Sequence, residues 1–507
     1  MYFVYNDIFC LKKFLKFYKI QYIITLFFFK YPYFIKYLYP EIDIFYFKIY
    51  HIKKFIYFWG EILKNDLING NITKSIIMFA VPMIIGNFLQ QFYNIADTII
   101  IGKFLGPSAL AAVGSSYTFM IFLTSILLGL CMGSSALFSI EFGRKNIEKL
   151  KNDIIAAFIL IGILTIFLNI LSFLFIDKII MFMKIPKEIY NMTKDYLNII
   201  FYGIIFTFLY NYFSFLLRAL GNSLIPLIFL VVSALTNIFL DLWFVITLNA
   251  GVKGAAYATV ISQGLSGIGI FFYVFYKFPW LIAKKKEIKI TKNTIKEISE
   301  YSFLTCIQQS VMNLGILMVQ GLINSFGTNV MAAFTAAVKI DSLAYMPVQD
   351  FGNSFSTFTA QNFGAKKIKR IEEGIKKSVN MIFIFCIFIS AFVFIFAEKL
   401  MLIFINPSET EILSIGIQYL RIEGIFYWGI GFLFLLYGFY RAVKKPEMSV
   451  VLTIISLGTR VILAYSLSSI ECIGILGIWC SVPIGWILAD IFGYFYYKKY
   501  KNIFFKQ

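Results

Sequence analysis

Residues 224–248 read LIPLIFLVVSALTNIFLDLWFVITL, twenty-five positions with a single charged side chain, Asp241. Built as a helix, such a run reaches about 37 Å at ~1.5 Å per residue, enough to cross a hydrocarbon core of roughly 30 Å. It is apolar on every face, so a soluble fold would have to cover it completely, whereas lipid accepts it as it stands. Inside lipid the backbone must satisfy its own hydrogen bonds, which leaves helices or a closed barrel. The run has none of the period-two alternation of a barrel strand. It therefore predicts a transmembrane helix. An acid within one is expensive, of order 2.5–3.5 kcal/mol on insertion scales, which marks Asp241 as a functional candidate.

Outward from this run the pattern repeats. Twelve apolar stretches are predicted as helices at 75–101, 109–140, 153–176, 195–217, 224–248, 254–276, 301–323, 330–362, 378–397, 413–440, 448–468 and 473–497. The whole chain is 60% hydrophobic with a mean hydropathy of +0.79, against ~45–50% apolar for soluble domains. The net charge of +19 would suggest nucleic acid in a soluble protein. Here the lysines sit in short loops between apolar runs, and no nucleic-acid partner is expected. Basic side chains crowd the loops after even-numbered helices: Arg144, Lys145, Lys149 and Lys151; Lys277 through Lys296; Lys366 through Lys377; Arg441, Lys444 and Lys445. The positive-inside rule then places both termini in the cytoplasm of a multi-pass protein of the cell membrane.

The chain repeats itself. Tyr196-Leu197 returns as Tyr419-Leu420, Arg218-Ala219 as Arg441-Ala442, Thr236 as Thr459, and Gly251 and Gly254 as Gly474 and Gly477, all at an offset of 223. Gln90-Gln91 answers Gln308-Gln309 and Phe142-Gly143 answers Phe363-Gly364, at offsets of 218 and 221. The fold class is thus an all-α polytopic membrane protein with twelve transmembrane helices in two pseudo-symmetric six-helix lobes. The expected divisions are an N-lobe at 63–277, a cytoplasmic linker at 278–300 and a C-lobe at 301–507. Two similar lobes about a cleft suit a transporter that alternates its access.

Residues 1–62 stand apart. Phe, Tyr, Ile and Lys fill 43 of these 62 positions, with no Ala or Ser and one Gly. These are the residues that AT-rich DNA encodes by default. The favoured reading is translated upstream sequence from a misplaced start, with Trp59-Gly60-Glu61 encoded by a purine-rich run resembling a ribosome-binding site. The competing reading is a basic, aromatic segment lying at the membrane interface.

Several stretches resemble the multidrug and toxic compound extrusion (MATE) family. They are Pro82-Met83-Ile84-Ile85-Gly86-Asn87 with Gln90-Gln91, Ala96 through Gly102, and Leu105-Gly106 with Ala109 through Gly114. Later come Arg218 through Ser223 with Pro226, Asn237 through Asp241, Gly254-Ala255-Ala256 with Ala258-Thr259, and Gln361 through Ala365. The likeness covers roughly 65–500. It implies a two-lobed antiporter that expels small amphipathic or cationic organic substrates in exchange for Na⁺ or H⁺, without another cofactor. It also implies a cation-coupling site of Asp97, Asn237, Asp241 and Thr259, and a helix-bending proline at Pro82.

Read without the resemblance, the residues lead to the same place. Asp97 and Asp241 both lie inside apolar runs, and Asn237 and Asp241, four apart, share a helix face. Thr98 and Thr259 lie nearby in sequence. Carboxylate, amide and hydroxyl oxygens suit a proton or a hard monovalent cation, and either aspartate would also serve to bond a neighbouring helix. In the second half, Asp241 corresponds to Ala464, Asn237 to Arg460 and Thr259 to Val482, so coupling is expected in the first lobe alone. Asp350, Tyr93 and Gln90 are candidates for the cleft or the substrate. Phe119, Tyr210, Tyr345 and Trp428 could cradle a flat cation, although with aromatics at 19% of the chain a core or lipid-facing role is the more expected for each. Asp341, Glu423 and Asp490 are expected near span ends, at the interface. Six cysteines without metal spacing and a single histidine, His51, predict no metal site beyond Na⁺ and no catalytic residues. Two rivals remain: a flippase for lipid-linked saccharides, for which Arg460 is one intramembrane cation, and a membrane-embedded transferase. A monomer is expected.

Overall fold

A computed structural model describes residues 66–183, 185–282 and 285–504. The atypical 1–62 extension, with Cys10 and His51, lies outside them. The first lobe contains α1 (Ile72–Leu105), α2 (Pro107–Arg144), α3 (Ile147–Leu174), the short α4 (Ile176–Phe182), α5 (Lys187–Ala219), α6 (Leu224–Asp241) and α7 (Gly251–Lys277). The second contains α8 (Lys292–Asn324), α9 (Thr328–Gly364), α10 (Ile368–Met401), α11 (Thr410–Ile425), α12 (Tyr427–Ala442), α13 (Pro446–Ser468) and α14 (Ile475–Phe504). Among the described residues nine spans are long and apolar enough to cross a membrane, and α11 with α12, bent by 52° at Phe426, make a tenth. Helices α8 and α9 complete the twelve. They are more polar: α8 buries Ser302, Thr305 and Gln308, and α9 buries Asp341, Asp350 and Asn362. The lipid-facing helices show the reverse: Ile163, Phe167, Ile384, Phe388 and Ile395 are exposed, a pattern that water would penalise.

Local sequence sets the helix starts. Asn71 accepts from the Lys74 amide at 3.2 Å, Asn146 from Lys149 at 3.1 Å and Thr291 from Thr294 at 3.2 Å, each satisfying an otherwise orphaned donor. Pro107 and Pro446 open their helices, where no N–H is needed. Two departures from the predicted spans are local. The fifth span ends as a π-helix, Leu242–Thr247, and the tenth breaks at Phe426. Asp341 and Glu423, expected at an interface, are instead only 4% and 1% exposed. They pack against each other and against Arg460, which partners them in the interior.

The internal repeat extends to the backbone. Left-handed residues recur at matched positions: Gly106 with Gly327, Lys145 with Lys366, Gly221 with Lys444, and Gly251 with Gly474. Three of these residues are lysines, which bear a Cβ at positive φ, so these turns hold their geometry without the glycine that favours it.

The lobes join at the end that carries the basic loops. There α2 and α9 cross so closely that a Cβ on Gly143 would strike the Gln361 carbonyl, and one on Gly364 the Ile140 carbonyl. Gln361 Nε2 donates to Ala219 O at 2.8 Å and Asn362 Nδ2 to Leu67 O at 3.0 Å. Around them runs a chain of charge. Buried Glu141 meets Arg144 at 2.8 Å and Lys149 at 3.2 Å, and Glu297 bridges Lys149 at 3.0 Å to Lys444 at 2.5 Å. Burial pushes the Glu297 carboxyl up, but the hydrogen-bonded ammoniums of Lys444 and Lys149 more than offset this and hold it below its ordinary value. The connection between the lobes is pinned to α3 by Lys151–Glu287 and Lys289–Glu148 ion pairs at 2.9 and 3.3 Å.

Candidate functional site

The first lobe encloses a cavity of about 310 Å³ among α1, α2, α5, α6 and α7. Gln90, Tyr93 and Asp97 lie on α1 at spacings of three and four, so one stripe of that helix faces the cavity. Pro82 lines it too and sits inside α1, where it removes a backbone donor and loosens the helix. Asn237 and Thr259 complete the lining from α6 and α7.

The four residues singled out from sequence converge. Asn237 Nδ2 reaches Thr259 Oγ1 at 3.4 Å. Asn237 is 2% exposed and Asp241 fully buried. The Asp97 and Asp241 carboxylates meet within hydrogen-bonding reach. As two carboxylates they bring acceptors and no donor. Asp97 Oδ1, Asn237 Oδ1 and both Asp241 oxygens are buried with no donor on them. A nest of oxygens with no donor is chemically suited to a proton or a small hard cation, because two adjacent buried carboxylates repel when both are ionised. The π-helix begins immediately after Asp241. Its wider turn shifts the helical register beyond the acid, a feature frequent at functional sites.

Other candidates fall elsewhere. Thr98 donates to the Asn94 carbonyl of its own helix at 2.7 Å and is exposed. Asp350 is buried away from the cavity lining, where Asn87 Nδ2 donates to both its oxygens at 2.8 and 2.7 Å. It thereby ties α9 to α1 across the lobes. Tyr210 lines the cavity and donates to Pro226 O at 3.1 Å. Phe119 packs edge-on against Phe201, and Trp428 against Phe432.

Two features escaped the sequence reading. Tyr196 lines the cavity beside both aspartates. The signal was its recurrence as Tyr419, which stands beside Glu423 at the matching place in the second lobe. That lobe also has a chamber of its own, about 100 Å³, lined by Asp341, Tyr345, Tyr419, Glu423 and Arg460. It has kept buried acids, placed differently, and Arg460 stands where the first lobe has Asn237.

A two-lobed helical bundle that spans the bilayer and holds a polar cavity within its apolar thickness defines a membrane transporter. The MatE family profile matches residues 82–243 and again 301–466, once in each lobe. The chain belongs to this family, the MATE efflux transporters, and is not an enzyme. It is 28% identical over 437 residues to the probable multidrug resistance protein YpnP of Bacillus subtilis, covering 85% of this chain and 96% of that one. It is 26% identical to the probable multidrug resistance protein NorM of Thermotoga maritima, covering 83% and 90%. A crystal structure of MATE in complex with MaL6 superposes with a TM-score of 0.81 at 25% identity, over 87% of this chain and 99% of that one.

Proposed function

We propose that this protein is a secondary antiporter that exports small cationic or amphipathic organic molecules in exchange for H⁺ or Na⁺. The observation that carries the reading is the meeting of Asp97, on the wall of a cavity large enough for an organic molecule, with Asp241 buried behind it, and with Asn237 and Thr259 on the same wall. Cation and substrate compete for that environment. With a cation bound, the acids are neutralised and a cationic substrate loses its attraction. With the cation gone, the exposed negative charge recruits the next substrate. One charge crossing 100 mV supplies roughly 2.3 kcal/mol, and a concentration gradient adds to it. The basic end faces the cytoplasm in this scheme, in keeping with the positive-inside rule. The protein then works in the cell membrane with the lobes closed on the inner side.

The relatives named above are multidrug resistance proteins, which favours export of drugs over movement of lipid-linked saccharides. Efflux of ethidium or norfloxacin from cells expressing Asp97→Asn or Asp241→Asn tests the reading. Both variants should reach the membrane and lose efflux, and normal efflux by both would refute it.

A further inference from the structure

A second, smaller cavity lies between the lobes near their basic end, with a volume of about 20 Å³. Arg218, in the last turn of α5, and Arg441, in the last turn of α12, both face it. They are repeat partners, one from each lobe, so the pseudo-symmetry brings two guanidinium groups to one place. Arg441 is 5% exposed. The Nε of each arginine is buried with no acceptor. No carboxylate lines the cavity among the described residues.

Neighbouring groups answer this charge only in part. Arg218 lies over the Phe215 ring at 5.2 Å and interacts with the Asp350 carboxylate, which Asn87 also holds. No described carboxylate acts on Arg441. The helix C-termini offset part of the positive charge through their dipoles, yet they offer neither Nε an acceptor. Ser135 and Ser139, on the cavity wall, donate their hydroxyls to carbonyls of their own helix at 2.8 Å. Two like charges that converge in a low-dielectric interior repel strongly unless something of opposite sign lies between them. The space suits one water-sized particle, which admits a monatomic anion and excludes phosphate or a carboxylate-bearing molecule.

We propose that Arg218 and Arg441 bind a single chloride-sized anion between the lobes, and that this anion holds the lobes together at their basic end. Since each lobe contributes one arginine, parting the lobes there dismantles the site. The anion therefore binds the state closed at this end and favours it by linkage. The anion site needs only the two-lobed fold: Arg218 also lines the first-lobe cavity, but neither Asp97 nor Asp241 takes part in it.

The test uses the full chain in detergent or nanodiscs, with thermal unfolding followed by intrinsic tryptophan fluorescence. Sodium chloride is compared with sodium gluconate and sodium sulfate at equal ionic strength. Chloride should raise the wild-type melting temperature by about 3 °C, the order expected for a ligand at many times its dissociation constant, and gluconate and sulfate should not. Arg441→Gln and Arg218→Gln should lose the response, while Arg441→Lys keeps part of it. Bromide substituted for chloride in crystals should give an anomalous peak between the two guanidinium groups. Equal melting in chloride and gluconate, an equal rise in sulfate, an unaltered chloride response in both glutamine variants, or no bromide peak would each overturn the proposal.

Discussion

Replacing Gly143 or Gly364 by alanine should shift the protein away from the state in which the lobes meet at their basic end. At both positions the added Cβ meets a backbone carbonyl of the opposing helix, Gln361 O or Ile140 O. A flexible side chain could swing aside, but a helix carbonyl can move only if its helix moves. Overpacking of this kind costs about 1–3 kcal/mol. The whole cost falls on the closed arrangement, because the opposing carbonyl is absent once the lobes part. At ~1.4 kcal/mol per factor of ten, closure becomes roughly 5–150-fold less favourable. Spin labels at exposed Ile147 and Lys369, near the ends of the crossing helices, report the change in a cysteine-free background. Pulsed dipolar spectroscopy should show the short-distance population falling in either variant, with drug efflux falling alongside it. Unchanged distance distributions and wild-type efflux in both variants would show that the α2–α9 crossing is not where the lobes close.

The same geometry gives three further expected outcomes. Glu297→Gln should remove a pH dependence of stability: the depressed carboxyl stabilises the fold fully above about pH 4.3, the ordinary glutamate value, and loses that contribution as pH falls through its lower folded value. The variant's melting temperature should therefore fall less steeply in acid, as a pH series of unfolding curves would show. Arg460→Met leaves Asp341 and Glu423 buried without their cation and should destabilise by about 3–5 kcal/mol. Adding Glu423→Gln should recover part of that loss in a double-mutant cycle of melting temperatures. Thr259→Val removes one oxygen beside Asn237 and should lower efflux about tenfold, on the scale of one buried hydrogen-bonding partner, whereas Thr259→Ser should stay near wild type in the same drug-accumulation assay.

The spans were legible because lipid leaves long apolar runs almost no other fate. Asp97 and Asp241 were legible for a related reason, since an acid in such a run is costly and therefore stands out. The repeat was also legible, and it marked Tyr196 and Tyr419 without saying that each stands beside an acid. What could not be read were features set by contacts between distant segments. Asp341 and Glu423 look interfacial in sequence because nothing there shows Arg460 packing between helices to partner them. The π-turn after Asp241 carries no proline or glycine to announce it, and Gly424, two residues before the break at Phe426, is one of many glycines inside the spans and does not single that break out. The closeness of Gly143 to Gln361 exists only once the two halves are packed against each other about their common axis.

The central claim is that cation and drug share the Asp97–Asp241 environment and move in opposite directions. Proteoliposomes of purified protein, loaded with ethidium and given a pH gradient or a Na⁺ gradient separately, test it most directly. One of the two gradients should drive ethidium movement against the direction of the ion, and Asp241→Asn should abolish it while leaving the protein folded and inserted. Ethidium movement that ignores both gradients, or that persists at the wild-type rate in Asp241→Asn, would contradict the account.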